Sequence, residues 1–261
     1  MHAEFTFQLA MIYGFLLVLA RVSGVIALVP IPGFSAGPDV SRVVLALAMT
    51  FALFPAWPLH AFDGAGDAPV LASLLGWMGA EAALGLTIGV AIAFLLECIQ
   101  MAAQILGLQA GYSYASTIDP STQADTTTLQ LMAQLLAGLL FFAFGFDRQI
   151  LRVLAKSLEW VPNGHFPPQA PAAEVILHLG AVVFSTGLQL AIPVLALLVL
   201  LDVAFAVLGR LHAQMQLLSL SFAIKMLVAL AFLASILSVY PAAFERAGER
   251  TFRLLAELLQ H

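Results

Sequence analysis

From Val70 to Leu108 the sequence is almost unbrokenly apolar, and the two charged side chains inside it are Glu81 and Glu97. A helix that spans a membrane needs roughly 20 residues, so this block must form a tilted or bent helix, or a hairpin. Five other apolar blocks surround it: Phe5 to Val29, Val43 to Phe54, Leu129 to Phe146, Val175 to Leu208 with Pro193 inside, and Leu217 to Tyr240. The whole chain of 261 residues is 62% hydrophobic and 10% charged. Soluble domains carry about 25% charged residues, so the solvent for this surface is lipid, partner protein or both. The blocks are continuous and rich in Leu, Ala and Val, whereas the strands of a membrane barrel alternate apolar and polar. The expected fold is all-α, a set of polytopic, membrane-associated helical hairpins.

The breaks between blocks are well marked. Pro30 to Asp39 is a rigid Pro- and Gly-rich turn that leads into a helix starting at Asp39 or Ser41. Trp57 to Ala68 is an acidic loop, and Val161-Pro162-Asn163-Gly164 stops the fourth helical region. Gly85 and Gly89 form a Gly-x-x-x-Gly pair, a small-residue face that lets two helices approach closely. No internal repeat and no linker divides the chain. It reads as one unit, residues 1–261, with a helical core over 1–240 and an amphipathic segment over 241–261. In that last segment Phe244, Ala247, Leu254, Leu255, Leu258 and Leu259 fall near one face, either on a membrane surface or against a partner.

Several functions are set aside by what is missing. Net charge is −5 and the Arg and Lys residues are scattered, which argues against nucleic-acid binding. The single cysteine, Cys98, lies in an apolar run without metal-ligating neighbours and is expected to be a buried thiol. No phosphate loop, His-Glu-x-x-His motif or serine nucleophile elbow occurs, so no enzyme, cofactor or metal site is expected.

One polar island interrupts this pattern. Gln109 to Thr128 holds Gly111, Tyr112, Ser113, Tyr114, Asp119, Pro120 and Asp125, and neither Lys nor Arg. A connection between membrane helices can be a few residues, and long structureless loops are usually functional or disordered. This stretch is expected to sit in, or close, an aqueous path.

Orientation by the positive-inside rule gives a conflict. Simple alternation places two basic clusters, Arg148 to Lys156 and Arg246 to Arg253, on the wrong side. Splitting the third block into a hairpin repairs both but misplaces Arg210. Some blocks are therefore expected to pack on partner subunits instead of spanning lipid. The charges within apolar blocks are Arg21, Glu81, Glu97, Asp202 and Lys225. Intramembrane charge is costly and marks either pairing or function. Asp202 can pair with Lys225 or Arg210 if the last two blocks form a hairpin. With Pro193 as a hinge, Asp202 would alternatively be the coupling carboxylate of an ion-coupled small-molecule transporter.

Taken together, several motifs resemble the FliR/SctT family of type III secretion export-gate proteins. They are Ala20-Arg21-Val22-Ser23-Gly24 with Pro30, Phe34, Pro38, Arg42 and Pro55; Gly111-Tyr112 with Ile118-Asp119-Pro120; Leu139 to Phe144; and Ser157 to Pro162. The C-terminal set is the most specific: Ala191-Ile192-Pro193-Val194, Leu201-Asp202-Val203-Ala204, Gly209-Arg210, Gln214-Met215-Gln216 and Phe222-Ala223-Ile224-Lys225. Asp202 and Asp119-Pro120 resemble the flagellar branch more than the injectisome branch. The chain departs from the flagellar pattern at Gly145-Phe146-Asp147-Arg148, where members typically carry Asn-Gly-His. The resemblance implies a FliP-like plus FliQ-like fused helical fold within an inner-membrane export gate of the flagellar basal body. It implies FliP and FliQ as gate partners, FlhB and FlhA as neighbours, and unfolded flagellar proteins as cargo. It further implies that the stretch matching Gln109 to Thr128 plugs the pore.

Overall fold

A computed structural model describes residues 2–29, 39–57, 71–112, 128–161, 170–211, 217–236 and 238–260. Among them every regular element is a helix: α1 (His2–Leu28), α2 (Asp39–Ala52), a 3-10 turn (Phe54–Ala56), α3 (Leu71–Ala110), α4 (Thr128–Ala143), α5 (Phe146–Trp160), α6 (Ala170–Leu211), α7 (Leu217–Ile236) and α8 (Tyr240–Gln260). The boundaries follow the sequence's breakers. α1 ends just before Pro30, because a proline disfavours helical backbone in the residue ahead of it. Gly145 takes a left-handed conformation with φ of 66° and separates α4 from α5.

The third apolar block is one helix of 40 residues, so the hairpin alternative is not taken. α6 likewise runs on through Pro193 for 42 residues. Among the described residues three helices are long and apolar enough to cross a membrane, Met11–Leu28, Ser73–Ala110 and Ile176–Arg210, with a fourth if α4 and α5 count as one broken span. Among the described residues α2 and α7 offer the shorter apolar stretches Val40–Ala52 and Leu220–Ala231, so length and composition do not give every apolar block a span of its own.

The helices fold into two compact units interleaved along the chain. One holds Met1–Phe94, Gly145–Gly180 and Glu249–His261; the other holds Leu95–Phe144 and Ala181–Gly248. Each of α3, α6 and α8 contributes one part to each unit.

In the first unit, α1 and α3 pack backbone to backbone. A Cβ on Gly85 would collide with the backbone of Arg21, and one on Gly24 would lie 2.6 Å from the Ala82 carbonyl. A Cβ on Gly89 would lie 2.9 Å from the Val25 carbonyl. The glycines predicted to be a packing face are that face, and the seam buries Val22, Val25, Leu84 and Ile88. At the end of α2, Trp57 turns back, donates its indole N–H to the Thr50 carbonyl at 3.1 Å and packs on Phe15 and Phe54.

α8 differs from a helix lying free on a membrane surface. Phe244, Ala247, Leu255 and Leu259 are buried, while Glu249, Arg250, Arg253 and Glu257 face outward. Phe252 packs on Phe146 in the first unit, and Phe244 packs on Phe144 in the second. The amphipathic pattern is thus satisfied by the chain itself. Much apolar surface remains outside on other helices. α6 exposes Leu177, Phe184, Leu200 and Val203, and only 22% of its span is buried. α4 exposes Met132, Leu135 and Leu139.

The seam makes a sharp contrast between glycines of one helix. Gly85→Ala is expected to destabilise the purified protein by about 2–3 kcal/mol, because the backbone it meets cannot yield as a side chain would. Gly76→Ala, whose Cβ would meet nothing within 4 Å, is expected to be neutral or slightly stabilising. Thermal unfolding of both variants in detergent measures the difference.

Candidate functional site

Two charged clusters organise the described residues, one in each unit. In the first unit the Arg21 side chain is fully buried and so is that of Glu81. Arg21 Nε donates to Glu81 Oε2 at 2.5 Å. One terminal nitrogen donates to the Ser157 carbonyl at 2.5 Å and to Ser157 Oγ at 3.1 Å. The other donates to the Val161 carbonyl at 3.1 Å. Ser157 Oγ gives its own proton to the Leu154 carbonyl at 2.7 Å and so has lone pairs left for the guanidinium.

The chemistry explains the residue types. Guanidinium is a planar fork of five donors, and three directions are used here: a carboxylate on α3 and two carbonyls at the end of α5. Those carbonyls belong to the last turn of α5 and its cap, where the helix carries partial negative charge; the Ser157 carbonyl also accepts the Val161 N–H, and the Val161 carbonyl lies beyond the helix. Arg21 therefore neutralises a carboxylate and caps a helix with one side chain. Lysine has the charge but not the fork.

In the second unit Asp202 of α6 meets α7 and the end of α3. Lys225 Nζ lies 2.8 Å from Asp202 Oδ1, and Gln109 Nε2 donates to Asp202 Oδ2 at 2.8 Å. The Asp202 side chain, within the apolar span Ile176–Arg210, is 41% exposed on the isolated chain. One turn on, Tyr112 donates its hydroxyl proton to the Met226 carbonyl at 3.0 Å. Gly111 has a φ of 87°, and a Cβ there would stand 2.7 Å from Phe222 Cδ1. Backbone bonds from Gly111 N–H to the Leu108 carbonyl and from Tyr112 N–H to the Gly107 carbonyl close α3 in a Schellman motif.

The expected pairing of Asp202 with Lys225 is present, and Arg210 is instead exposed near the end of α6. Glu97 is half-buried on α3 and joins neither cluster. Of the polar stretch, Gln109 lies in the last turn of α3, and Gly111 and Tyr112 close it. Ser113, Tyr114, Asp119 and Pro120 fall outside the described residues. Cys98 is buried as expected. Among the described residues no cluster of His, Cys, Asp or Glu could hold a metal.

Two features escaped the sequence reading. Ser157 and Val161 accept from Arg21 across more than a hundred residues of chain, although both lie in the Ser157 to Pro162 motif. The bond from Gln109 to Asp202 was equally hidden, since glutamine in an apolar run signals only that some partner is needed.

These features define a polytopic helical membrane protein whose charges are spent on joining helices. The model for bacterial export proteins, family 1, matches residues 12–251, and the chain belongs to that family. It is 28% identical over 242 residues to the flagellar biosynthetic protein FliR of Escherichia coli, covering 92% of this chain and 90% of that one. It is 25% identical over 240 residues to the FliR of Pectobacterium carotovorum, with the same coverage. Its similarity extends to the surface presentation of antigens protein SpaR of Salmonella typhimurium, 25% identical over 211 residues, covering 79% of this chain and 76% of that one.

Arg21→Met is expected to cost about 3–5 kcal/mol, because it strands the buried Glu81 carboxylate. Adding Glu81→Met should restore a large part of that loss, and a double-mutant cycle on unfolding midpoints measures the coupling. Gly111→Ala is expected to cost about 1–2 kcal/mol through its left-handed backbone alone. Combining it with Phe222→Ala should relieve the collision but leave the backbone penalty.

Proposed function

We infer that this chain is a membrane-embedded subunit of the flagellar type III secretion export gate. The observation that carries this reading is the family match from residue 12 to 251 together with flagellar relatives aligned along nine-tenths of their length. The chain is a structural component of secretion, placed in the bacterial inner membrane at the flagellar basal body. The relationship to SpaR supports the same gate role in a wider class of type III systems, at lower coverage than the flagellar relatives.

The apolar faces left outside on α2, α4 and α6 are the surfaces by which it joins other gate subunits, FliP and FliQ first, with FlhB and FlhA beside the assembly. Val40, Val43 and Val44 on α2, Leu135 and Leu139 on α4, and Leu200 and Val203 on α6 are all exposed. An isolated chain has no reason to keep so much apolar side chain outside unless lipid or a partner covers it.

The polar stretch Gln109 to Thr128 plugs the pore through which unfolded flagellar proteins pass. It carries no cationic side chain and few carboxylates, which suits cargo of varied sequence. Its Tyr112 and Tyr114 supply contact area without fixed charge.

Deleting Gly111 to Gln123 in an assembled gate is expected to make the membrane leaky to small solutes while the complex with FliP and FliQ still purifies. Dye uptake by cells carrying the deletion measures this. Unchanged permeability in an assembled gate would overturn the plug.

A further inference from the structure

We propose that Asp202 is a clamp that fixes the direction in which the polar stretch leaves α3, by holding Gln109 and Lys225 at once. The inference rests on the plug reading for its functional meaning, but its geometry lies wholly in the second unit.

A carboxylate only accepts hydrogen bonds, and its two oxygens are divided here. Oδ1 takes the Lys225 ammonium from α7, and Oδ2 takes the Gln109 amide from α3. Gln109 presents its nitrogen because its own amide oxygen would face a negative oxygen. Were the ion pair only a clip between α6 and α7, the second oxygen would have no need of α3.

Two more contacts lie along the same face of α7. Phe222, Lys225 and Met226 are three and four residues apart, which places them side by side on a helix. Phe222 closes over Gly111, Lys225 reaches Asp202, and the Met226 carbonyl accepts from Tyr112. The cation of Lys225 also lies 5.9 Å from the centre of the Phe222 ring.

These side-chain contacts are not required to end the helix. The Schellman bonds of Gly111 and Tyr112 already do that with backbone alone. What the side chains add is orientation, since the last turn of α3 is tied to α6 at Gln109 and to α7 at Tyr112. Tyr112, the residue from which the polar stretch continues, is thereby held to both helices. Asp202 is thus a positioning residue: it acts on the stretch through Gln109, without being part of it.

The deciding variant is Gln109→Leu, which leaves the Lys225–Asp202 pair intact and cuts only the tie to α3. The gate complex is prepared on a Cys98→Ala background with a nitroxide on Ser113→Cys, just past the clamp. Electron paramagnetic resonance then reads the mobility of the label. A parallel sample in phospholipid vesicles reads efflux of a small anionic dye. Losing a hydrogen bond to a charged group shifts a two-state population by roughly ten- to a hundredfold, and the mobile fraction and the efflux should rise accordingly. Asp202→Ala should do the same, and Lys225→Arg should resemble the parent because it keeps the charge.

The outcomes separate the two readings. If the loop deletion leaks but Gln109→Leu changes neither mobility nor efflux, the clamp is wrong and the plug stands. If Asp202→Ala and Lys225→Met mobilise the label while Gln109→Leu does not, Asp202 is a hairpin clip only, and the clamp is again overturned. If the loop deletion does not leak, the plug reading fails, and label mobility in Gln109→Leu alone decides the clamp. Should Asp202→Ala fail to assemble, Gln109→Leu remains decisive.

Discussion

The fully buried guanidinium of Arg21 sets the terms for the first unit. A charge taken out of water must be paired and hydrogen-bonded or it is strongly destabilising. Arg21 meets that demand with Glu81 on α3 and with the carbonyls that end α5. For the fork to reach all of them, α1 and α3 must lie almost in backbone contact. Gly24, Gly85 and Gly89 permit that approach, and Gly85 faces the backbone of Arg21 itself. The glycine seam and the buried ion pair are therefore one structural device.

The second unit applies similar chemistry at a partly exposed site. Asp202 is only partly enclosed, and it is shared between Lys225 and Gln109 at the point where the polar stretch begins. Buried charge joins helices in the first unit, while exposed charge orients a chain exit in the second. Membership of the bacterial export proteins, family 1, fits a molecule in which polar side chains are scarce and spent on geometry. The apolar helices that remain bare, α6 above all, are left for lipid or partner protein to cover.

Much of the architecture was legible beforehand because it depends on local chemistry. Proline punctuates at Pro30 and Val161-Pro162, and helices stop there for reasons that act within a few residues, whereas the break at Gly145 falls inside the block expected from Leu129 to Phe146. The role of Gly85 as a contact surface followed from spacing alone, while Asp202 was expected to pair with Lys225 or Arg210 and the structure pairs it with Lys225. Other features were not legible. Val70 to Leu108 is equally apolar whether it folds back as a hairpin or continues as one helix, since hydropathy has no sense of direction; it continues as one helix. Gly111 was placed in a stretch expected to sit in, or close, an aqueous path, yet it is held in a left-handed helix cap under Phe222.

The sequence by itself determined that this is an all-helical membrane chain with few charges, where its helices break, and which family it resembles. These properties are carried by composition, local backbone preference and ordered motifs. Only the tertiary structure decided which helices touch, which carbonyls receive Arg21, and that Asp202 is divided between Lys225 and Gln109. The physical reason is that a buried or half-buried polar group states in sequence only that it needs a partner. Which partner it finds depends on groups that lie far away along the chain and meet only after the helices have packed.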